Sequence, residues 1–145
     1  MVISNILRGK GSQVISVRTG DCVASITRTL AQHRIGAVLV VEGDGTVLGI
    51  VSERDIVRAL AGMGEAVTRM TAGQLMTRVL HTVNPRSSVQ EALQLMTDRR
   101  VRHLPVLEAD GALAGMVSIG DLVKARIAEA EQEAEELKHY VATAG

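Results

Sequence analysis

Apolar residues recur along the chain in two periods, and the order in which those periods alternate occurs twice. Val23, Ile26 and Leu30 are spaced by three and four, which lines one face of a helix, and Val89, Ala92, Leu93 and Met96 do the same further on. Asp21 and Ser87 stand where helix caps are expected. Each helix is followed by two short apolar runs, 37–41 and 47–51 in one place and 104–107 and 113–117 in the other. Asp44-Gly45 and Asp110-Gly111 lie between the runs and supply glycine where a hairpin loop needs positive φ. Short extended stretches, 14–17 and 79–83, precede the helices. A last helix is expected from near Glu53 and from near Ile119.

Sliding the chain over itself by 66 residues superposes these patterns without a gap: Val23 meets Val89, Gly49 meets Gly115, Ser52 meets Ser118 and Asp55 meets Asp121. Two copies of one β-α-β-β-α unit follow, an α/β fold in which each copy carries strands too apolar to face water on both sides. The expected organisation is a lead segment (1–13), a first repeat (14–61), a linker (62–74), a second repeat (75–128) and a C-terminal helix and tail (129–145). An apolar pair precedes each repeat, Ile6-Leu7 and Leu75-Met76, and is expected to pack back on the fold. Beyond the second repeat Val123, Ile127, Ala130, Ala134, Leu137 and Val141 alternate by four and three, with the glutamates mostly off that stripe. This predicts an amphipathic helix, either protruding or folded onto its own domain.

Composition narrows the function. The chain has 145 residues with 16 basic and 16 acidic side chains, so no global field draws in nucleic acid or an anionic membrane. Tyr140 is the sole aromatic residue, which removes the shelves on which single-stranded bases stack. The lone cysteine, Cys22, cannot close an internal disulfide, and MVISNILRGKG lacks a basic region followed by an apolar signal segment. A soluble cytoplasmic protein without membrane or nucleic-acid partners is expected. The four histidines are scattered and Cys22 has no partner at zinc spacing, so no metal is expected. Walker, Rossmann, GxSxG and HExxH motifs are absent, and no base or nucleophile can be assigned. The chain is therefore not expected to be an enzyme or to require a cofactor.

Within the matched repeats stand Gly49-Ile-Val-Ser52-Glu-Arg-Asp55 and Gly115-Met-Val-Ser118-Ile-Gly-Asp121, together with Arg102-His-Leu-Pro-Val106. These residues resemble the signature of tandem CBS (cystathionine β-synthase) domain pairs, over about residues 6–128. The resemblance implies two repeats packed by pseudo-twofold symmetry, with clefts that hold adenosine-containing ligands: AMP foremost, and also ADP, ATP or NAD(H). It also implies a homodimer, and an energy-sensing regulatory role towards a separate, unidentified protein.

By that resemblance Ser52 and Ser118 meet phosphate, while Asp55 and Asp121 accept hydrogen bonds from the ribose hydroxyls. Physical chemistry agrees with the division, since a carboxylate repels phosphate and grips two hydroxyls. A second reading of the same residues is a pair of helix N-caps with an acid three residues on, which can coexist with binding. Arg54, Arg102 and His103 are candidate phosphate cations, or else surface charges. Their counterparts are Gly120, Gly36 and Ala37, so the two sites are expected to be unequal. If His103 meets phosphate, affinity should fall as the pH climbs from about 6 to 8. Val17, Thr82, Val83, Ile35, Val101 and Leu104-Pro105 are candidates for the adenine, and most would serve equally as core. The rival function is a ligand-independent dimeric interaction module.

Overall fold

The computed structural model describes residues 1–144, which divide into two compact units: one runs from Gln13 to Leu80, and the other joins Met1–Ser12 to the chain from His81 onward. Helix α1 (Ile3–Lys10) opens the chain and belongs to the second of these.

The unit 13–80 begins with strand β1 (Ser16–Val17) and helix α2 (Val23–His33), which buries Val23, Ile26 and Leu30 as their spacing requires. Strands β2 (Ala37–Val41) and β3 (Val47–Ser52) pair antiparallel, and β1 lies parallel to β2 on the other side. Helix α3 (Glu53–Met63) returns along the sheet. Val17, Val23, Ile26, Val38, Val40, Val51 and Ile56 form the core. The segment 62–74 has structure of its own. A 3-10 helix (Gly64–Arg69) buries Val67, and Thr71 caps a short helix α4 (Ala72–Leu75) through its hydroxyl. Leu75 and Met76 pack on this core, with Met76 only 8% exposed.

The other unit repeats the design. Helix α5 (Val89–Arg99) buries Val89, Ala92 and Met96, and strands β4 (His103–Leu107) and β5 (Leu113–Ser118) pair antiparallel. Irregular register falls at Val40/Val41 in one unit and Val106/Leu107 in the other, which are the same place after the 66-residue shift. Gly45 (φ 90°) and Gly111 (φ 87°) turn the hairpins, with Asp44 and Asp110 accepting the N–H two residues on at 2.9 Å. The extended stretch expected at 79–83 forms no strand. Only Val83 bridges, parallel to Val106, its N–H donating to Pro105 O at 3.1 Å.

The two apolar lead pairs divide between the units: Leu75-Met76 complete the first-repeat core, whereas Ile6 and Leu7 pack on the second. Ile3 is fully buried there, although it is the third residue of the chain. The N-terminal amino group lies 3.4 Å from Glu129 Oε1, and Arg126 lies 3.2 Å from Oε2 of the same carboxylate.

The capping residues fall one position later than expected. Cys22 is the N-cap of α2, without a side-chain bond, and Ser88 caps α5 by accepting from Glu91 N at 2.9 Å. Asp21 and Ser87 close the turn before the helix instead, accepting from the N–H of Arg18 and Asn84 at 2.9 and 3.1 Å. An acceptor just before a helix can bond backwards or forwards, and local sequence does not decide which.

Helix α6 (Ile119–Ala144) is continuous from the second repeat to the end of the described chain. It buries Leu122 and Ala125, and every residue from 130 to 144 is exposed. The protruding alternative is the one realised.

Candidate functional site

At the end of β3 the backbone of Ser52 is still extended (φ −106°, ψ 160°), and α3 starts with the next residue. Four amides at a helix start lack intrahelical partners, and Ser-x-x-Asp answers part of that need locally. Ser52 Oγ accepts from Asp55 N–H at 3.2 Å, and Asp55 Oδ2 accepts from Ser52 N–H and from its hydroxyl, both at 2.9 Å. Ser118 and Asp121 build the same reciprocal pair at the start of α6, at 2.9 and 3.2 Å. The capping arrangement is thus present at both junctions. It places a hydroxyl, a carboxylate and the positive end of a helix dipole on one edge of each unit.

The opposite strand completes each edge. His103 pairs with Ser118 across the β4–β5 ladder, and Arg102 O accepts from Ile119 N–H at 2.8 Å. In the other unit Ala37 pairs with Ser52, and Gly36 O accepts from Glu53 N–H at 2.9 Å. One unit therefore gathers Arg102, His103, Ser118 and Asp121, and the other gathers Ser52, Arg54 and Asp55 opposite Gly36-Ala37. Arg102 is exposed; Arg54 and His103 are half-buried.

The second edge holds a residue that the sequence reading missed. Lys10, at the end of α1, donates from Nζ to Asp121 Oδ2 at 2.8 Å and to Met116 O at 3.0 Å. Burial pushes the Asp121 carboxyl upward. The hydrogen bonds from Lys10 and from the Ser118 N–H, with the lysine's charge, outweigh that and hold it below the ordinary carboxylate value. Lys10 precedes Asp121 by 111 residues, so no local spacing announces the pair.

The adenine candidates divide by burial. Leu104 and Pro105 are buried and Val17 is only 8% exposed, so the side chains of Val17 and Leu104 serve the cores of their units. Val83 is half-buried and Thr82 exposed. A hollow of about 470 Å³ lies between α2 and α3; its lining includes Arg34, Ile35, Gly36 and Glu53 but neither Ser52 nor Asp55.

The signature glycines have a packing role. A Cβ on Gly49 would lie 2.7 Å from Met76 Sδ, and one on Gly115 would lie 2.7 Å from Leu7 Cδ2. Each lead pair thus packs against the strand that carries the signature.

Against known proteins, the family described as CBS domain matches residues 12–62 and 72–128. The chain is 37% identical over 147 residues to the mitochondrial CBS domain-containing protein CBSX3 of Arabidopsis thaliana, a match covering 96% of this chain and 71% of that protein. It is 41% identical to the CBS-domain protein ATU1752 of Agrobacterium tumefaciens, with a TM-score of 0.84 over 86% of this chain and 92% of that one. The CBS domain pair of protein MJ0100, solved in complex with 5′-methylthioadenosine and S-adenosyl-L-methionine, has the same fold at 21% identity, with a TM-score of 0.79 over 89% of this chain and 98% of that one.

Proposed function

The chain belongs to the CBS-domain family, and on that footing we propose that it is a regulatory module that binds an adenosine-containing ligand on its Ser-x-x-Asp edges and passes the occupancy to another protein. The observation that carries this reading is the duplicated strand-to-helix junction. The same hydroxyl and carboxylate occur twice, in register, at helix starts that favour anions.

In this reading Asp55 and Asp121 accept from the sugar hydroxyls, and Ser52 and Ser118 face the phosphate. Arg54, Arg102 and His103 supply positive charge, and Thr82 and Val83 border the base. AMP is the first ligand to test, followed by ADP, ATP and NAD(H). S-adenosylmethionine and methylthioadenosine join them because a fold of this kind holds both in MJ0100. Lys10 makes the two edges unequal: Asp121 already has a cation on Oδ2, and Val79, which holds the equivalent place after Met76, offers none.

Thermal unfolding with each ligand tests the proposal. A ligand at 100 times its Kd adds about 2.7 kcal/mol of stability. AMP should raise the midpoint, 2′-deoxy-AMP should raise it less, and Asp55→Ala should lose most of the response relative to its own ligand-free midpoint. Capping alone also accounts for Ser-x-x-Asp. If no adenosine compound at millimolar concentration moves the midpoint, the junctions are caps and the chain is an interaction module.

A further inference from the structure

Helix α1 is fastened unevenly. Its start is stitched to the chain before α5 by backbone bonds, Ile3 N–H to Ser87 O and Ser4 N–H to Pro85 O, both at 2.9 Å, and Ile3 is fully buried. Its end has no such hold. Every residue from Arg8 to Gln13 is exposed, and Gly11 (φ 95°) stops the helix. A Cβ on Gly9 or Gly11 would meet nothing within 4 Å. Among the described residues, the only side-chain hydrogen bonds of this stretch are the two that Lys10 donates, to Asp121 Oδ2 and to Met116 O. One lysine therefore fastens the end of α1 to its unit, and the residues after it carry the chain to the unit that begins at Gln13.

The same lysine stands in the way of a ligand. A carboxylate oxygen carries two lone pairs, and on Asp121 Oδ2 they are taken by the Ser118 N–H at 2.9 Å and by Lys10 at 2.8 Å. A ribose diol gripped through both oxygens of Asp121 needs Oδ2 as well, so the lysine has to withdraw first. Asp55 Oδ2 is also filled, by the N–H and the hydroxyl of Ser52, but that hydroxyl turns aside by rotation about a single bond. Lys10 leaves only by taking its charge into water, which lies beside it, since its side chain is 39% exposed. An ion pair this open is weak enough for a ligand to break.

We propose that Lys10 is an autoinhibitory latch on the second edge: it must leave Asp121 before a ribose is gripped there, and its departure loosens residues 8–13, the stretch that leads into the other unit. The latch rests on the function proposed above, in which Asp121 takes the sugar, and it supplies that function with an output. Linkage makes the effect mutual, because whatever the latch subtracts from ligand affinity a bound ligand subtracts from the hold on α1. The released ammonium keeps one bond, to Met116 O, for which water competes. The buried start of α1 stays in place, so the change is confined to the helix end.

Adenosine is the probe, because it brings the ribose without a phosphate. In titration calorimetry on the full chain, Lys10→Met should tighten adenosine binding by about two- to fivefold, the factor that an exposed ion pair represents, and adding Asp121→Asn should abolish the gain. Amide hydrogen exchange reads the other half. In the wild-type chain adenosine should speed exchange over residues 8–13, whereas in Lys10→Met this stretch should exchange quickly with or without adenosine. Residues 3–6 should stay protected throughout, which shows that the variant has kept its fold. If adenosine binds neither chain, the ligand reading fails and the latch falls with it. If adenosine binds but exchange over 8–13 does not rise, or if Lys10→Met binds it more weakly than the wild type, the ligand reading stands and the latch is overturned.

Discussion

Gly49 and Gly115 hold matched places in β3 and β5, yet alanine should cost very different amounts at the two. At Gly49 the added carbon would lie 2.7 Å from Met76 Sδ and 2.8 Å from the carbonyl oxygen of Thr77. That oxygen already accepts from Ile50 N–H at 3.0 Å, and Thr77 N–H donates to Ile50 O at 2.9 Å, so the backbone cannot retreat without loosening this bridge. Overpacking costs about 1–3 kcal/mol and a weakened hydrogen bond about 1, against about 0.4–1 kcal/mol regained from a stiffer unfolded chain. The net loss for Gly49→Ala is about 1–3.5 kcal/mol by that reckoning. At Gly115 the close atoms all belong to the end of the Leu7 side chain, at 2.7, 3.2 and 3.5 Å, and a rotation of that side chain relieves them. Gly115→Ala should therefore lose no more than about 1 kcal/mol. At roughly 4 °C per kcal/mol, scanning calorimetry should show a fall of about 4–14 °C for Gly49→Ala, larger than the fall of at most about 4 °C for Gly115→Ala. Equal losses, or a larger one at Gly115, would refute the claim that fixed backbone rather than side-chain crowding sets the cost.

Three further outcomes follow from the second-repeat unit. Ile3→Ala should destabilise the chain by about 2–4 kcal/mol in urea unfolding, because Ile3 is fully buried in that unit's core; a surface-like loss under about 0.5 kcal/mol would contradict the packing. Lys10→Ala should cost only about 0.2–1 kcal/mol of stability, the worth of a partly exposed ion pair. In titration calorimetry with AMP it should also strengthen or add a binding event by releasing Asp121, and weaker binding would mean that Lys10 grips the ligand itself. Asp121→Asn carries a pH signature. The folded-state pKa of Asp121 lies below its unfolded value, so the stability it contributes is full above the unfolded pKa and is lost as the pH falls through the folded one. The gap between wild type and variant should be widest near neutral pH and should close below about pH 4; a gap that widens in acid would reverse the sign.

The repeat made most of the fold legible. The 66-residue register fixes which strands correspond, and the apolar runs at 37–41 and 104–107 lie within one residue of β2 and β4. What escaped was whatever depends on address rather than pattern. Ile6-Leu7 announces burial by its apolarity, but nothing local says that it packs on the second repeat rather than the first. The segment 62–74 has no sustained period, yet Val67 is buried and Thr71 caps a helix turn. At the site, the Ser-x-x-Asp pairs and the basic strand start at Arg102-His103 were readable because their geometry is local. Lys10 was not, since its partner lies beyond an entire repeat.

The unit built from both ends of the chain has a bearing on how the protein comes to be made. Met1–Ser12 leave the ribosome before the rest of their unit, and the surface that receives Ile3 and Leu7 does not exist until β5 has been synthesised more than a hundred residues later. The stretch between, Gln13 to Leu80, contains its own core and can settle while synthesis continues. Helix α1 is thus left waiting while a whole repeat folds ahead of it, and its anchoring follows the synthesis of β5.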